Sequence, residues 1–563
     1  MTDTQNTRYG GAAWSPEQRA KFVERGDWRE VTFLDEVLAQ AKAQPEKTAI
    51  VAYRRGVEPE SLSYGELHQR IDQYAARLME LGVGSGDVVT IQVANGLEGP
   101  ALALATMRVG AIPNPVPIIY REHELRFMIA HAGSKVLFVP EEFRGYDYAA
   151  MAARLKSDID TLEHVVVLGD TKGNRDLRTF DEFAGDGQGP VDQDTLAELE
   201  LRRPQPNDTA MMVFTSGTTG TPKAALHSHN TAWSGYQRVI VRALDLTGDD
   251  VAFMASTIGH LTGFIHGMLV PLSTGQKVVY QDLWDAEEML RLIETEGITW
   301  TLSATTFALD MLDVAKKKAL TGIRLRAFAC GGAAIPPPLA RAMRDVFDCS
   351  LVSLWGCSET GIATIHDLGA SVETLAASDG FQVPWYDLRI VDPIGEPVVR
   401  GEVGRLEVTG PSIFLGYYRQ PELTEAAFTR DGWLDTGDLG RVTPDGGIRI
   451  AGRTKEIIVR GGQNISSVEV ENALYDHPKV HEVAVVPYPD ERLGEKVCAV
   501  VVPEGEAPDL DELVAHLEAA GLAKPMWPQR LVVIDSMPRT PSGKIQKFLL
   551  AKELAERADG DQT

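Results

Sequence analysis

Segments with helical and strand-like patterns alternate along roughly the first 200 residues, and this order limits the fold more than any other feature of the chain. Ser63 and Glu66 form a capping-box pattern that begins a helix, and the β-branched run at residues 88–93 follows it. Residues 124–139 repeat the helix-then-strand order. The pattern predicts an α/β fold with mostly parallel, buried sheets. Residues 185–208, rich in Gly, Pro, Asp and Gln, predict a surface connection.

A second domain is predicted to begin just after Arg453. An Asp-Gly-Gly hairpin signal precedes this point. Beyond it, Ser466 and Glu469 predict a capped helix, and two strand patterns and a further helix pattern follow. We therefore expect a large N-terminal domain of residues 1–453, with several subdomains and mixed or parallel sheets, and a small α+β domain of residues 454–563.

The charge balance excludes some classes of partner. The 563 residues include 55 Lys and Arg against 80 Asp and Glu, a formal net charge of −25. This excess of carboxylates argues against unspecific binding to nucleic acid or to anionic membranes, because both depend on lysine and arginine. A hydrophobic content of 44% with 24% charged residues excludes global disorder. Any polyanionic ligand must therefore be held by local groups.

The cysteines and the N-terminus predict a cytoplasmic protein. The N-terminus lacks the apolar segment of a signal peptide. Cys357 is interpreted as a small buried residue and not as a nucleophile. Neither a disulfide framework nor zinc-ligand spacing is visible among the four cysteines, which are Cys330, Cys349, Cys357 and Cys498.

Residues 255–276 contain no charged side chain, and Gly259, Gly263 and Gly267 repeat the small-xxx-small spacing of membrane helix pairs. Two histidines, several hydroxyls and a proline interrupt the segment, so a membrane span is disfavoured. The segment instead predicts a buried, glycine-rich helix beside a ligand cavity. The three glycines would leave space for a ligand or for a packed neighbour.

The segment from Thr215 to Lys223 is the most informative about chemistry. It follows an apolar strand pattern and combines five hydroxyls, two glycines and one lysine, which can surround a phosphate chain with N–H, O–H and ammonium donors. It is not a Walker loop, because Pro222 precedes the lysine. The alternative is a solvated turn. The residues expected to contact ATP are Thr215, Ser216, Gly217, Thr218, Thr219, Gly220 and Lys223.

With this loop, the chain resembles the adenylate-forming superfamily of acyl-CoA synthetases, nonribosomal-peptide adenylation domains and luciferases. The resemblance covers residues 30–550 or so, and the other motifs of the superfamily appear in its order. They are Trp355-Gly-Cys-Ser-Glu-Thr-Gly361, Gly432-Trp-Leu-Asp-Thr-Gly-Asp438, Gly452-Arg-Thr-Lys-Glu456, Gly461-Gly-Gln-Asn464 and Pro538-Arg-Thr-Pro-Ser-Gly-Lys544.

The resemblance implies two reactions in one cleft. ATP and a carboxylic acid first form an acyl-adenylate and pyrophosphate, and the acyl group then passes to a thiol. Glu359 is expected to hold Mg²⁺, and Lys544 to contact the carboxylate and the α-phosphate oxygens. Ser358 stands where the superfamily usually has Thr, and its hydroxyl keeps the hydrogen bond to the α-phosphate. Without the other motifs, Lys544 would be a solvated surface lysine.

Other positions are expected by resemblance to bind the nucleoside. Trp355, where Tyr is commoner, would stack on adenine, and Asp438 and Arg453 would bind the ribose as acceptor and donor. The alternatives are core packing for Trp355 and a turn role for Asp438. The backbone expected to line the base is that of Gly331, Gly332 and Ala333.

Lys455 stands where the superfamily carries the pivot of its small domain. Rotation there would let Lys544 leave the cleft before the thiol enters. Gly461 and Gly462 fit a passage for the pantetheine arm of CoA, because glycines permit close approach. The alternative is a tight turn.

His260 matches the histidine that often gates the acyl site, and the alternative is a satisfied core histidine. An amino-acid substrate is disfavoured because residues 255–276 contain no carboxylate for its ammonium. The segment also lacks the Asn expected of 2-hydroxybenzoate ligases. It most resembles synthetases for medium-chain fatty acids and alicyclic acids, and a bulky polycyclic acid also fits.

The sequence therefore predicts an ATP- and Mg²⁺-dependent, AMP-forming carboxylic acid:CoA ligase. The alternatives are an acyl-AMP ligase that loads a carrier-protein thiol, an aryl-acid CoA ligase, a luciferase-like oxygenase and an inactive nucleotide-binding regulator. The expected partners are the acid, ATP and CoA, with a second copy of the chain as a candidate, and without nucleic acid or a membrane span.

Overall fold

The computed structural model describes residues 14–185, 189–215, 222–331, 335, 337–460, 463–490, 492–539 and 545–560. For residues 337, 455, 463, 464 and 555–560 it describes the backbone alone.

The strands, in chain order, are β1 Thr48–Tyr53, β2 Glu60–Ser63, β3 Val88–Ile91, β4 Ile112–Pro115, β5 Ser134–Pro140, β6 Glu142–Phe143, β7 Tyr146–Asp147, β8 His164–Leu168, β9 Arg178–Thr179, β10 Thr209–Thr215, β11 Lys223–Ser228, β12 Val251–Met254, β13 Lys277–Gln281, β14 Trp300–Ser303, β15 Ala327–Gly331, β16 Ser350–Cys357, β17 Gly361–Ile365, β18 Phe381–Gln382, β19 Asp387–Val391, β20 Gly404–Thr409, β21 Gly416–Tyr417, β22 Leu434–Val442, β23 Ile448–Arg453, β24 Ile457–Arg460, β25 Gln463–Ser466, β26 Val480–Asp490, β27 Gly494–Pro503 and β28 Arg530–Val533.

The α-helices are α1 Pro16–Glu24, α2 Phe33–Ala43, α3 Tyr64–Glu80, α4 Glu98–Arg108, α5 Glu122–Ala132, α6 Tyr148–Asp158, α7 Phe180–Ala184, α8 Gln193–Leu201, α9 His229–Ala232, α10 Arg238–Ala243, α11 Leu261–Phe264, α12 Val270–Ser273, α13 Ala286–Glu296, α14 Thr305–Lys318, α15 Pro337–Phe347, α16 Val372–Ala377, α17 Pro421–Ala426, α18 Ser467–Leu474, α19 Leu510–Ala519 and α20 Lys547–Gly560. Short π-helical segments are Trp233–Gln237 and Ile265–Leu269, and 3₁₀ turns are Thr454–Glu456 and Lys524–Met526.

Two sheets of mostly parallel strands form the centre of the larger part of the chain. The first has the order β18-β17-β16-β15-β14-β12-β13-β1-β2, and its pairing is parallel from β16 to β1. The second has the order β4-β3-β5-β8-β9 and is parallel throughout. Strands covered on both faces have continuous apolar sequences, as in β3, where every residue is buried.

Helix α4 is buried between these sheets. Every residue from Gly99 to Arg108 is buried, and a Cβ at Gly99 would lie 3.2 Å from Ile258, which follows β12. A helix that is apolar on all sides is stable only when it is enclosed. Its one charged residue in this range, Arg108, pairs with Asp72 at 3.1 Å and with Glu200 at 3.0 Å.

Two antiparallel sheets carry four of the residues with predicted roles. The sheet β10-β11-β21 contains both ends of the segment from Thr215 to Lys223. The sheet β19-β20-β22-β23 ends in the hairpin that the Asp-Gly-Gly signal predicts, which places Arg453 opposite Asp438.

The C-terminal strands form a separate sheet of order β25-β24-β27-β26, with β28 parallel to β27. Alternate residues of β26 enter different apolar clusters. Val483 and Val485 pack with α18 and α19, whereas Val486 packs with Leu550 of α20. The sheet is therefore covered on both faces.

The expected fold class is confirmed: mixed α/β with parallel sheets and a smaller α+β unit. The capping box of Ser63 and Glu66 begins α3 as predicted. Residues 185–208 differ from the predicted connection, because they include α8, whose Leu199 enters the main core. Residues 255–276 are helical only from Leu261 to Ser273. Within the described ranges, no helix is long and apolar enough to cross a membrane.

Candidate active site

The two ends of the predicted phosphate-binding segment lie side by side. Thr215 ends β10, Lys223 begins β11, and the two residues are cross-strand partners. The hydroxyl of Thr215 donates a hydrogen bond to the backbone oxygen of Lys223 at 3.4 Å. The predicted contacts Ser216, Gly217, Thr218, Thr219 and Gly220 lie outside the described residues.

Lys223 and Glu359 contact different parts of the same side chain, that of Tyr417. The Nζ of Lys223 lies 4.7 Å from the ring centroid of Tyr417, and the Tyr417 hydroxyl donates a hydrogen bond to Glu359 Oε1 at 2.7 Å. Tyr417 is buried, and burial is the main cause that raises its pKa, to which the charge of Glu359 adds. The phenol therefore stays protonated and acts as a donor.

Ser358 and Glu359 lie in the turn between β16 and β17, which Thr360 holds in place. Thr360 is fully buried; its hydroxyl accepts from the Cys357 N–H at 3.1 Å, and its backbone oxygen accepts from the Tyr386 hydroxyl at 2.5 Å. This turn has little freedom, so the Glu359 side chain is projected from a fixed backbone.

His227 supports the same turn from β11. Its Nε2 lies 2.6 Å from the backbone oxygen of Ser358, and its Nδ1 lies 3.0 Å from the Thr231 hydroxyl. Burial lowers the pKa of His227 to about 4, so the ring is neutral at pH 7 and Nε2 carries the proton that Ser358 accepts.

Asp438 links the predicted adenine-stacking and ribose-binding residues. Its Oδ2 accepts from the indole nitrogen of Trp355 at 2.9 Å, and its Oδ1 accepts from Arg453 Nε at 2.7 Å. Burial alone would lower the pKa of Arg453, but the charge and hydrogen bond of Asp438 outweigh it, and the pKa is raised. The charge of Arg453 also opposes the rise in the pKa of Tyr417.

Gly331 ends β15 at a point where two strands approach closely. A Cβ there would lie 2.5 Å from Leu354 Cδ1 and 2.9 Å from its backbone oxygen. Packing alone therefore accounts for this glycine. Gly332 and Ala333, predicted to line the base with it, lie outside the described residues.

The glycines of residues 255–276 are closed by packed neighbours. A Cβ at Gly259 would lie 2.1 Å from the Val116 oxygen, one at Gly263 2.2 Å from the Thr257 oxygen, and one at Gly267 2.5 Å from Met254. The sequence analysis expected these glycines to leave space for a ligand or for a packed neighbour, and the structure shows packed neighbours. His260 is half-buried and caps α11, because its Nδ1 accepts from the Thr262 N–H at 3.3 Å.

The positions predicted for domain rotation and CoA binding are only partly described. The backbone of Lys455 lies in the 3₁₀ turn that joins β23 to β24. Strands β24 and β25 pair from Ile457 and Ser466 to Arg460 and Gln463. Gly461 and Gly462, between them, and Lys544 lie outside the described residues.

Cys357 fits the interpretation as an unreactive thiol. Burial, the largest cause, raises its pKa to about 12, and the Thr360 hydroxyl lies 3.4 Å from its sulfur. Among the described residues there is no cluster of three or more His, Cys, Asp or Glu side chains that could hold a metal ion without help from a ligand.

Comparison with known proteins agrees with this geometry. The family described as AMP-binding enzyme matches residues 37–418, and its C-terminal domain matches residues 469–544. The chain belongs to the AMP-binding enzyme family. It is an adenylate-forming enzyme that uses ATP and joins an acid to a thiol.

Two curated relatives of this AMP-binding enzyme are similar over nearly their whole length. A medium-chain fatty-acid–CoA ligase of Escherichia coli (strain K12) is 33% identical over 97% of this chain and 95% of its own. A 2-hydroxy-7-methoxy-5-methyl-1-naphthoate–CoA ligase of Streptomyces carzinostaticus is 32% identical over 96% of each. The ATP-bound crystal structure of MatB from Rhodopseudomonas palustris has a TM-score of 0.78 at 26% identity, over 93% of this chain and 99% of its own.

Sequence reasoning did not find Tyr417 or His227. Both contact the turn of Ser358 and Glu359, from 58 and 131 residues away in the chain. The only local signal is that Tyr417 follows Gly416 in a short apolar run and that His227 lies four residues after Lys223. The sequence around Tyr417 and His227 does not indicate that they contact Glu359 and Ser358, and only the fold shows these contacts.

Proposed function

We propose that this enzyme is an AMP-forming carboxylic acid:CoA ligase in which Lys223, Glu359, Asp438 and Arg453 bind ATP. The observation that supports it most is that Lys223, the last residue of the segment from Thr215, and Glu359 both contact the side chain of Tyr417. A cation and a carboxylate at a hydroxyl-rich loop suit a polyphosphate and its counterion.

In the first reaction, a carboxylate oxygen of the acid attacks the α-phosphorus of ATP, and the bond to the β-phosphate oxygen breaks to release pyrophosphate. Lys223 is proposed to bind the phosphates, Ser358 to donate to the α-phosphate, and Lys544 to bind the oxygens at the reacting phosphorus. Trp355 is proposed to stack on adenine and Asp438 to accept from the ribose hydroxyls.

The residues present fit Mg²⁺. Glu359 supplies a carboxylate oxygen, and Mg²⁺ commonly takes one or two carboxylates together with substrate phosphates. A single carboxylate therefore suffices in this class of site. When bound, Mg²⁺ would neutralise phosphate charge. What the chain itself contributes is the fixed turn that holds Glu359 beside Lys223.

In the second reaction, the CoA sulfur attacks the carbonyl carbon of the adenylate, the bond to the AMP oxygen breaks, and the thiol proton is lost. We propose that residues 454–563 rotate about Lys455 as a unit separate from residues 1–453, and that Gly461 and Gly462 line the pantetheine passage. The 3₁₀ turn at Thr454–Glu456, between two independent sheets, supports this division.

The acid is proposed to be apolar: medium-chain, alicyclic or bulky and polycyclic. Residues 255–276, which include His260, contain no carboxylate for an ammonium group. Two relatives of nearly equal identity act on a fatty acid and on a bicyclic aromatic acid, so overall identity does not choose among these acids.

An acid panel tests the proposal. Purified enzyme with ATP, Mg²⁺, CoA and octanoate, cyclohexanecarboxylate, 1-naphthoate or benzoate should release pyrophosphate and form a CoA thioester with at least one acid. Leucine should give none. A carrier protein with a phosphopantetheine arm, supplied in place of CoA, tests whether the acyl group passes to a protein thiol and not to CoA. Pyrophosphate release with no thioester on CoA would contradict the proposed acceptor.

The half-reactions test Lys544. The substitution Lys544→Ala should abolish pyrophosphate exchange while thioester formation from a supplied acyl-adenylate persists. Lys524→Ala is the matched control, because Lys524 is an exposed lysine of the same C-terminal part. Equal loss of both half-reactions in Lys544→Ala would contradict the assigned role.

We also propose that the enzyme is cytoplasmic, since ATP and CoA are its substrates and its four cysteines are free thiols. The homodimer stays a prediction.

A further inference from the structure

We propose that Tyr417 is a positioning residue that fixes both Glu359 and Lys223 toward bound ATP, each through a different part of its side chain. The inference rests on the proposed function only in taking Glu359 and Lys223 as ligands of the nucleotide and its Mg²⁺. It assigns to Tyr417 a task that neither residue can perform for itself.

The hydroxyl of Tyr417 selects between the two oxygens of Glu359. It donates to Oε1 at 2.7 Å. Among the described residues, no hydrogen-bond donor reaches Oε2. The carboxylate is therefore held at one oxygen and keeps the other for a ligand, and a tyrosine O–H is a neutral donor that leaves the negative charge in place.

The ring of Tyr417 holds the ammonium of Lys223. Its Nζ lies 4.7 Å from the ring centroid, within the range of a cation–π contact. In the part of the chain that the structure describes, Lys223 makes no ion pair with a carboxylate. An aromatic face can place a lysine without neutralising it, so its full charge is kept for phosphate oxygens.

Tyr417 is itself held from several sides, as a positioning residue must be. Its backbone N–H donates to the Thr424 hydroxyl at 2.9 Å, and Tyr417 in β21 is the cross-strand partner of Ala225 in β11. Its ring packs on Phe414 at 4.8 Å, and the Phe414 N–H donates to the Glu359 backbone oxygen at 2.9 Å. Residues 414–417 therefore connect strand β11, which begins at Lys223, to the turn that contains Glu359.

Two substitutions separate the roles of hydroxyl and ring. Tyr417→Phe removes the hydroxyl and keeps the ring, whereas Tyr417→Leu removes both. Tyr53→Phe is the matched control, because the Tyr53 hydroxyl also donates to a glutamate, Glu296 Oε1 at 2.6 Å, and neither residue has a proposed role in the site. ATP binding is measured by isothermal titration calorimetry, once with Mg²⁺ and once with EDTA, and pyrophosphate exchange is followed against Mg²⁺ concentration.

We expect Tyr417→Phe to raise the Mg²⁺ concentration for half-maximal binding and exchange about tenfold, while metal-free ATP binding stays unchanged. Tyr417→Leu should in addition weaken metal-free binding several-fold, because Lys223 loses its support. The control should match the wild type in all three readouts.

An unchanged Mg²⁺ requirement in Tyr417→Phe would overturn the proposal. Equal weakening with and without Mg²⁺ would also overturn it, because that result indicates a general loss of the site and not of one positioned oxygen. The wild type could bind Mg²⁺ and ATP and yet show no pyrophosphate exchange with any acid of the panel. The proposed function would then fail, while the calorimetric comparison would still decide the role of Tyr417.

Discussion

Asp438 accepts a hydrogen bond from the indole nitrogen of Trp355 at 2.9 Å, across 83 residues of sequence. The same carboxylate holds Arg453 through its other oxygen at 2.7 Å. Both residues were expected to bind the nucleoside, and the structure shows that one carboxylate orients them together. Loss of any member of this group should disturb the other two.

Trp355→Phe tests this relationship because it keeps an aromatic face and removes the N–H donor. A hydrogen bond to a charged acceptor contributes about 1.5–3 kcal/mol, so the KM for ATP should rise about tenfold in steady-state pyrophosphate release. The KM for the acid should stay within about twofold. Trp433→Phe is the control, because the Trp433 ring contacts Arg389, 4.4 Å from the ring centroid, and Arg389 has no proposed role in ATP binding. An unchanged KM for ATP in Trp355→Phe would refute the coupling.

Alanine at two glycines of residues 255–276 is expected to destabilise the fold, although Gly263 lies in helix α11 and Gly259 only in the turn before it. Replacing a helical glycine by alanine normally gains about 1 kcal/mol. At Gly263 in α11 the added Cβ would lie 2.2 Å from the Thr257 backbone oxygen, and at Gly259 2.1 Å from that of Val116. Backbone cannot move aside as a flexible side chain can. We therefore expect Gly259→Ala and Gly263→Ala each to lower the free energy of unfolding by about 2–3 kcal/mol in urea titrations.

The buried Gly440 provides the control for these variants. A Cβ there would meet the Arg449 oxygen at 3.4 Å, an ordinary van der Waals distance. Gly440→Ala should therefore change stability by less than about 1 kcal/mol. Equal destabilisation at Gly440 and Gly263 would show that steric contact is not the cause.

Glu407 is expected to be a stability determinant remote from the site. It is fully buried in β20, with Arg389 at 2.7 Å and Arg405 at 3.4 Å. Glu407→Ala removes the buried carboxylate of both pairs, while Arg389 keeps Asp431 and Arg405 keeps Asp435 as partners, so it should cost about 1.5–3 kcal/mol in urea unfolding. Asp313→Ala breaks the exposed pair with Lys317 and should cause no measurable change. Similar losses in both variants would contradict this account.

Local sequence signals predicted local structure well. The capping box of Ser63 and Glu66 begins α3, and the helix expected after the two strands of the C-terminal domain is α19. These signals succeed because cap, periodicity and stop lie within one or two turns of one another. Helix α8 was missed because residues 185–208 as a whole are rich in Gly, Pro and Asp, although the helix itself contains no Gly or Pro. Leu199 is its one fully buried residue, so its apolar face is short.

The site shows where such reasoning ends. The motifs predicted roles for Glu359, Asp438 and Trp355, but they did not show that Tyr417 donates to Glu359 or that Trp355 donates to Asp438. The glycines near His260 were expected to leave room for a ligand or a neighbour, and only the fold shows that Val116 fills one such space. Long-range packing has no signature in one sequence, so these contacts could not be predicted.

A buried histidine predicts how stability depends on pH. Burial lowers the pKa of His266 from 6.5 to about 3 in the folded chain. Between these values the unfolded chain binds one proton more than the folded chain, so stability falls as pH falls, by up to about 1.4 kcal/mol per pH unit. His266→Gln removes this contribution. The slope of unfolding free energy against pH, measured in urea from pH 6 to pH 4, should therefore be shallower by about that amount, even if the variant is less stable overall. His123→Gln replaces an exposed histidine and should keep the wild-type slope; a wild-type slope in His266→Gln would mean that His266 does not resist protonation.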